Sequence, residues 1–136
     1  MKHSPKVFVV DDDEAVLDSL KAVLAAQGYA VNCFTSAAEF MKQHHPTVVG
    51  CILVDLLMPG ISGSDLLRWL QESGSLLSVV IISGLMEYAD FDPKGPTSVQ
   101  LLEKPYEIST LVQMVEDGIA GSMRRRANRG PGTSDG

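Results

Sequence analysis

The chain has 136 residues, of which 45% are hydrophobic and 21% charged, and a formal net charge of −6. This length suits one domain with a continuous core, and the composition lies far from the signature of disorder. The acidic balance excludes a general affinity for nucleic-acid backbones, and no apolar run reaches the roughly 20 residues of a membrane span or resembles a secretory leader, so a soluble, cytoplasmic chain is expected.

Lys6–Val10 is a short β-branched run ending at Asp11, Asp12 and Asp13, after which Val16, Leu17, Leu20, Val23 and Leu24 recur at helical spacing until Gly28. This reads as strand, acidic turn and helix, with Asp13 capping the helix. Residues 29–34 look like a second strand, and Ser36 with Glu39 resembles a capping box opening a short helix that carries Phe40 and Met41. His44, His45 and Pro46 close that helix. The two histidines read as solvated loop, because adjacent side chains without a third ligand nearby make a weak metal site.

Residues 48–54 are almost wholly apolar, as in a central parallel strand covered on both faces, and the run ends at Asp55 ahead of Pro59 and Gly60. Cys33 and Cys51 lie in apolar runs and suit buried thiols better than a disulfide. A third helix begins near Ser64, with Leu66, Leu67 and Leu70 on one face. Residues 79–82 form another apolar run ending at Ser83, and residues 99–102 a further one ending at Lys104 and Pro105. Ile108, Leu111, Val112, Val115 and Ile119 then mark a final amphipathic helix.

Strand-like runs alternating with helical ones predict a doubly wound α/β fold, with a five-stranded parallel sheet covered on both faces. The domain is expected over residues 1–121, with a basic, then Gly/Ser-rich flexible tail or linker over 122–136. Arg124, Arg125, Arg126 and Arg129 read as cations that complement a helix C-terminus and solubilise the tail, not as a nucleic-acid contact.

In such sheets ligands bind beyond the carboxyl ends of the strands, where the polar residues of this chain accumulate. Asp11 and Asp12 end the first run, Asp55 the third, Ser83 the fourth and Lys104 the fifth. A strand order of 2-1-3-4-5 would make the first and third strands neighbours, so that the three carboxylates converge. Packed carboxylates repel unless some protonate or a cation neutralises them, and Mg²⁺, which takes one or two carboxylates and keeps several waters, is the natural cation. A carboxylate is also a nucleophile toward phosphorus, and the transition state of that transfer needs its oxygens neutralised. Asp55 is therefore the expected phosphoacceptor, with Lys104 supplying charge and Ser83 a directed hydrogen bond. Helix capping alone would account for an acidic triplet, but not for an aspartate ending an apolar strand.

The segments VFVVDDD, ILVDLLMPGISG, VVIISG and LLEKP resemble, in order and spacing, the motifs of receiver domains of two-component response regulators, a CheY-like, flavodoxin-like fold. The resemblance spans residues 6–120, and the beginning is most similar to FixJ-type receivers. It implies that a histidine kinase or phosphotransfer protein donates phosphate to Asp55. Asp12 would bind Mg²⁺ directly, Asp11 mostly through water, and the Leu57 carbonyl would be a further ligand. Ser83 and Lys104 match the phosphoryl-contacting hydroxyl and lysine, Gly84 a small-residue position beside them, and Pro59 and Gly63 the turn after the acceptor. A downstream protein, or a DNA-binding effector domain missing from this chain, would receive the signal. The resemblance also admits a phosphorylation-dependent dimer, and it involves no membrane and no direct nucleic-acid contact by this domain.

Two departures stand out. Pro93, Gly95 and Pro96 forbid a long regular fourth helix, which is expected to be short or irregular and confined to about residues 85–91. Leu101 occupies the position where many receivers place an aromatic switch residue, so signalling is expected to alter residues 85–97 instead, with Ser83 drawn toward the phosphoryl group. Leu57 and Leu85 are expected to flank the site with apolar surface. The alternative reading is a phosphorylation-independent interaction module on the same fold. A small-molecule phosphohydrolase is disfavoured, because no second nearby carboxylate is placed as acid or base and no cap domain selects a substrate.

Overall fold

The computed structural model describes residues 5–55, 60, 63–84 and 99–129. Its elements are β1 (Lys6–Val10), α1 (Glu14–Ala26), β2 (Ala30–Phe34), α2 (Ala37–Gln43), β3 (Gly50–Asp55), α3 (Gly63–Glu72), β4 (Ser78–Ser83), β5 (Val99–Glu103) and α4 (Ile108–Arg129). The strands form one sheet in the order β2-β1-β3-β4-β5, and every neighbouring pair is parallel. The doubly wound 2-1-3-4-5 architecture is thus the observed one. The expected short helix over residues 85–91 lies outside the described residues.

Alternation along the strands divides the core in two. Val7, Val9, Cys51 and Leu53 face α1 and α4, where Leu17, Leu24, Leu111 and Val115 meet them. Phe8, Val10, Ile52 and Val54 face α2 and α3, against Phe40, Leu66 and Leu70. Both faces of β3 and β4 are covered, which is why their sequences read as unbroken apolar runs.

The helix starts follow their caps. Asp13 accepts the Ala15 amide at 2.9 Å at the head of α1, and Ser36 accepts the Glu39 amide at 3.2 Å at the head of α2, half of the expected capping box. Cys33 and Cys51 are both free thiols, with Cys51 fully buried.

Three expectations need correction. Residues 122–129 are not tail: α4 continues to Arg129, Ser122 is fully buried, and Arg125 is bonded to the body of the domain. The pairing of these polar side chains with main-chain groups supplies what the local sequence lacks. His44 is not a solvated loop residue; its ring stacks on Phe40 at 5.0 Å and meets Trp69 edge-on at 5.6 Å, with both ring nitrogens buried. A planar ring between two aromatics gains contact area that a loop would not give it. Finally, β4 begins one residue earlier than its apolar run, at a fully buried Ser78 whose hydroxyl donates to the Gly118 carbonyl at 2.6 Å. A satisfied hydroxyl can sit inside a core where hydropathy alone would not place it.

Candidate functional site: an acidic pocket at the carboxyl ends of the strands

β1 and β3 pair in register, Val10 opposite Val54, so the next residue of each strand, Asp11 and Asp55, emerges side by side at the switch point of the sheet. The two carboxyl groups lie within hydrogen-bonding reach of each other. Asp11 is buried, its amide donates to the Phe34 carbonyl at 3.1 Å, and its Oδ1 accepts the Asp13 amide at 2.9 Å. Burial raises its pKa from 3.8 to about 6; the Asp13 amide opposes that shift, the charge and hydrogen bond of Asp55 add to it, and the charge of Lys104 opposes it.

The cation comes from the far side of the sheet. β5 pairs with β4 so that Glu103 lies opposite Ser83, and the Lys104 amide then donates to the Ser83 carbonyl at 2.9 Å. This anchors the Lys104 backbone and sends its Nζ to 3.3 Å from Asp55 Oδ2. The Asp55 side chain is only 15% exposed while that of Lys104 is 42% exposed, so the pair opens to solvent on the lysine side.

Asp11, Asp55, Ser83 and Lys104 thus share the carboxyl edge of the sheet, with Ser83 buried and Gly84 exposed. Among the described residues, a Cβ on Gly84 would meet nothing within 4 Å. Asp12 differs from the expected convergence of three carboxylates. It is exposed, and no group of three or more acidic, histidine or cysteine residues able to hold a metal occurs among the described residues. Leu101 is 41% exposed on β5, the edge strand. Leu57, Pro59, Leu85 and the segment 85–97 fall outside the described residues.

Tyr106 was not singled out by sequence reasoning. It packs against the α1/α4 side of the core; burial raises its pKa, the charge of Lys104 lowers it and that of Asp11 raises it, which places it beside the pocket. Its only signal was proximity to Lys104 and Pro105.

The residues present fit a divalent cation of magnesium type. Two oxygen donors meet where burial first, and the charge of Asp55 in addition, disfavour the ionised form of Asp11 unless a cation is present, and a water-rich ion needs no third protein carboxylate.

The profile of the response regulator receiver domain matches residues 7–116. The chain belongs to that family. Among curated relatives, the receiver is 36% identical to the transcriptional regulatory protein FixJ of Azorhizobium caulinodans over 135 residues, covering 96% of this chain and 60% of FixJ. Among solved structures it is similar to the response regulator StyR, with a TM-score of 0.85 and 31% identity, covering 93% of this chain and 64% of that one. Full-length FixJ from B. japonicum matches with a TM-score of 0.70 and 28% identity, covering 87% of this chain and 59% of that one. The receiver therefore spans roughly three-fifths of these longer regulators. No helix among its described residues is long and apolar enough to cross a membrane.

Proposed function

We propose that Asp55 accepts a phosphoryl group from a histidine kinase or phosphotransfer protein in the cytoplasm, and that the receiver passes the resulting change to a partner or effector domain. The observation carrying this reading is the meeting of three strand ends: Asp11 beside Asp55, with the Lys104 ammonium 3.3 Å from Asp55 Oδ2. A carboxylate so placed is a nucleophile with a cation fixed next to it, on backbone that the sheet holds.

The chemistry is an in-line displacement. An Asp55 oxygen forms a bond to phosphorus as the phosphorus–nitrogen bond of the donor histidine breaks, and the nitrogen keeps the electron pair and is protonated. Lys104 then pairs with a phosphoryl oxygen instead of the carboxylate alone. Ser83, held at the adjacent strand end, would donate its hydroxyl to another. Asp55 and Asp12 would hold Mg²⁺ directly, with Asp11 acting mostly through a bound water and the Leu57 carbonyl as a further ligand; bound there, the ion would supply neutralising charge for the phosphoryl oxygens. Gly84 would be the small residue beside the phosphoryl group. The protein acts on its own side chain and is not expected to turn over a small-molecule substrate.

Intact-mass measurement after incubation with Mg²⁺ and a small phosphodonor tests the reading. One added phosphoryl group on the parent protein and none on Asp55→Asn is the expected result. A parent protein that stays unmodified by both small donors and histidine kinases would instead favour the phosphorylation-independent interaction module.

A further inference from the structure

At the end of the sheet away from the acidic pocket, α4 is tied to the starts of β3 and β4 by side chains. Ser122 Oγ accepts the Gly50 amide at 3.0 Å and donates to the Leu76 carbonyl at 2.6 Å. Arg125 Nη2 donates to that same carbonyl at 2.8 Å and to Ser78 Oγ at 2.9 Å. Ser78 passes the chain on to the Gly118 carbonyl, at 2.6 Å. The close approach depends on glycine: a Cβ at Gly118 would stand 3.1 Å from Cys51 Sγ and 3.2 Å from Ser78 Cβ.

This attachment differs in kind from the rest of α4. Upstream, Leu111 and Val115 are fully buried in the core and hold the helix by apolar contact. Downstream, Ile119 still enters the core, but Gly118, Gly121 and Ser122 are poor helix formers, so beyond Ile119 the helix depends on the polar contacts. Arg125 is also incompletely satisfied. Its Nε is buried without a partner, its hydrogen bonds go to neutral acceptors, and the ion pairs of the described residues do not include it. Burial and the neighbouring Arg124 charge both weigh against its protonated form.

We propose that Ser122 and Arg125 form a releasable latch. Closed, it keeps α4 helical to Arg129 and presses Gly118 over the Cys51 thiol. Open, residues 118–129 lift from β3 and β4 while the sheet and the upstream half of α4 stay folded. The open state is a minor population of the native protein, reached by local and not global unfolding. The latch fixes the direction in which the chain leaves the sheet, and it does so without any dependence on the phosphorylation chemistry of Asp55.

Cys51 reports the opening, because it is fully buried and contacts Gly118. In a Cys33→Ser background, the rate at which a small thiol reagent labels Cys51 is measured at several low urea concentrations, alongside amide hydrogen exchange. Arg125→Met keeps the aliphatic bulk and removes two hydrogen bonds; Ser122→Ala removes the other two. Each is expected to speed Cys51 labelling by about ten- to a hundredfold, the worth of hydrogen bonds to a charged or buried group. The rate should be nearly independent of urea, and exchange in β1 and β3 should remain unchanged. Unaltered labelling in both variants overturns the latch. So does labelling that rises together with sheet exchange and with the urea dependence of global unfolding, or failure of both variants to fold.

Discussion

Lys104 reaches Asp55 from the opposite side of the switch point, its Nζ 3.3 Å from Oδ2, while its own amide is held by the Ser83 carbonyl. The pair is open to solvent on the lysine side, so as an ion pair it contributes little to stability, on the order of 0–1 kcal/mol. Its value lies in where it puts a positive charge. Lys104→Met is therefore expected to shift the denaturation midpoint only slightly. Phosphorylation of Asp55 by a small donor, followed by intact mass over time, should slow on the order of a hundredfold, the cost of removing one preorganised charge partner. A rate within twofold of the parent protein would remove Lys104 from the phosphoryl site.

The Asp11 carboxyl gives the pocket a pH dependence whose sign is fixed. Without metal its pKa is about 6 against 3.8 in the unfolded chain, so the native state holds more protons between those values. Stability then falls as pH rises from about 4 to about 6, by up to roughly 3 kcal/mol at 1.36 kcal/mol per unit. Asp11→Asn should lack this fall, which urea titrations at pH 4.5 and 7.5 in chelator will read. Mg²⁺ needs the ionised carboxylate, so its affinity by calorimetry should drop by up to about tenfold per unit below pH 6 in the parent and much less in the variant.

His44 works in the opposite direction. Burial, with a smaller contribution from His45, lowers its pKa from 6.5 to about 4, so its neutral form supports the fold fully above pH 6.5 and that support is lost as pH falls toward 4. From pH 7 to pH 5 the loss amounts to about 2 kcal/mol at most. His44→Leu should abolish that increment while staying within about 1.5 kcal/mol of the parent at pH 7, since the leucine also relieves two buried, unpartnered ring nitrogens. An equal acid loss in parent and variant would show that the ring is solvated.

Two glycines should behave in opposite ways. A Cβ at Gly50, whose φ is +153°, would overlap the Lys6 carbonyl of β1, and both backbones are fixed by the ladder. Gly50→Ala is expected to cost about 3 kcal/mol or more in urea denaturation. At Gly84 an added Cβ meets nothing within 4 Å among the described residues, and Gly84→Ala should stay within about 0.5 kcal/mol.

The strands and the acidic pocket were legible because the sheet imposes a coarse signal. A strand buried on both faces must be apolar, and a polar residue ending such a run needs a reason, which is how Asp11, Asp55, Ser83 and Lys104 stood out. The exposure of Asp12 was not legible, because adjacent aspartates look alike until the turn after β1 decides which one the fold buries. Ser78, Ser122 and Arg125 were missed for a related reason. Their polarity argues for solvent, and only the long-range contact between α4 and the starts of β3 and β4 supplies their partners. His44 shows the same limit, since its two aromatic neighbours come from different helices. Leu101 was recognised as unusual from position alone, and its exposure on an edge strand followed only from the order of the sheet.

The bond from the Lys104 amide to the Ser83 carbonyl belongs to the main chain, not to any side chain. The spacing between the two residues is therefore inherited from strand pairing and is indifferent to which residues surround them. Conservative replacements in β4 and β5 that keep the ladder should alter how tightly the domain holds together while leaving hydroxyl and ammonium in step. Such a pocket can be carried unchanged into descendants whose outer surfaces have diverged to meet different partners.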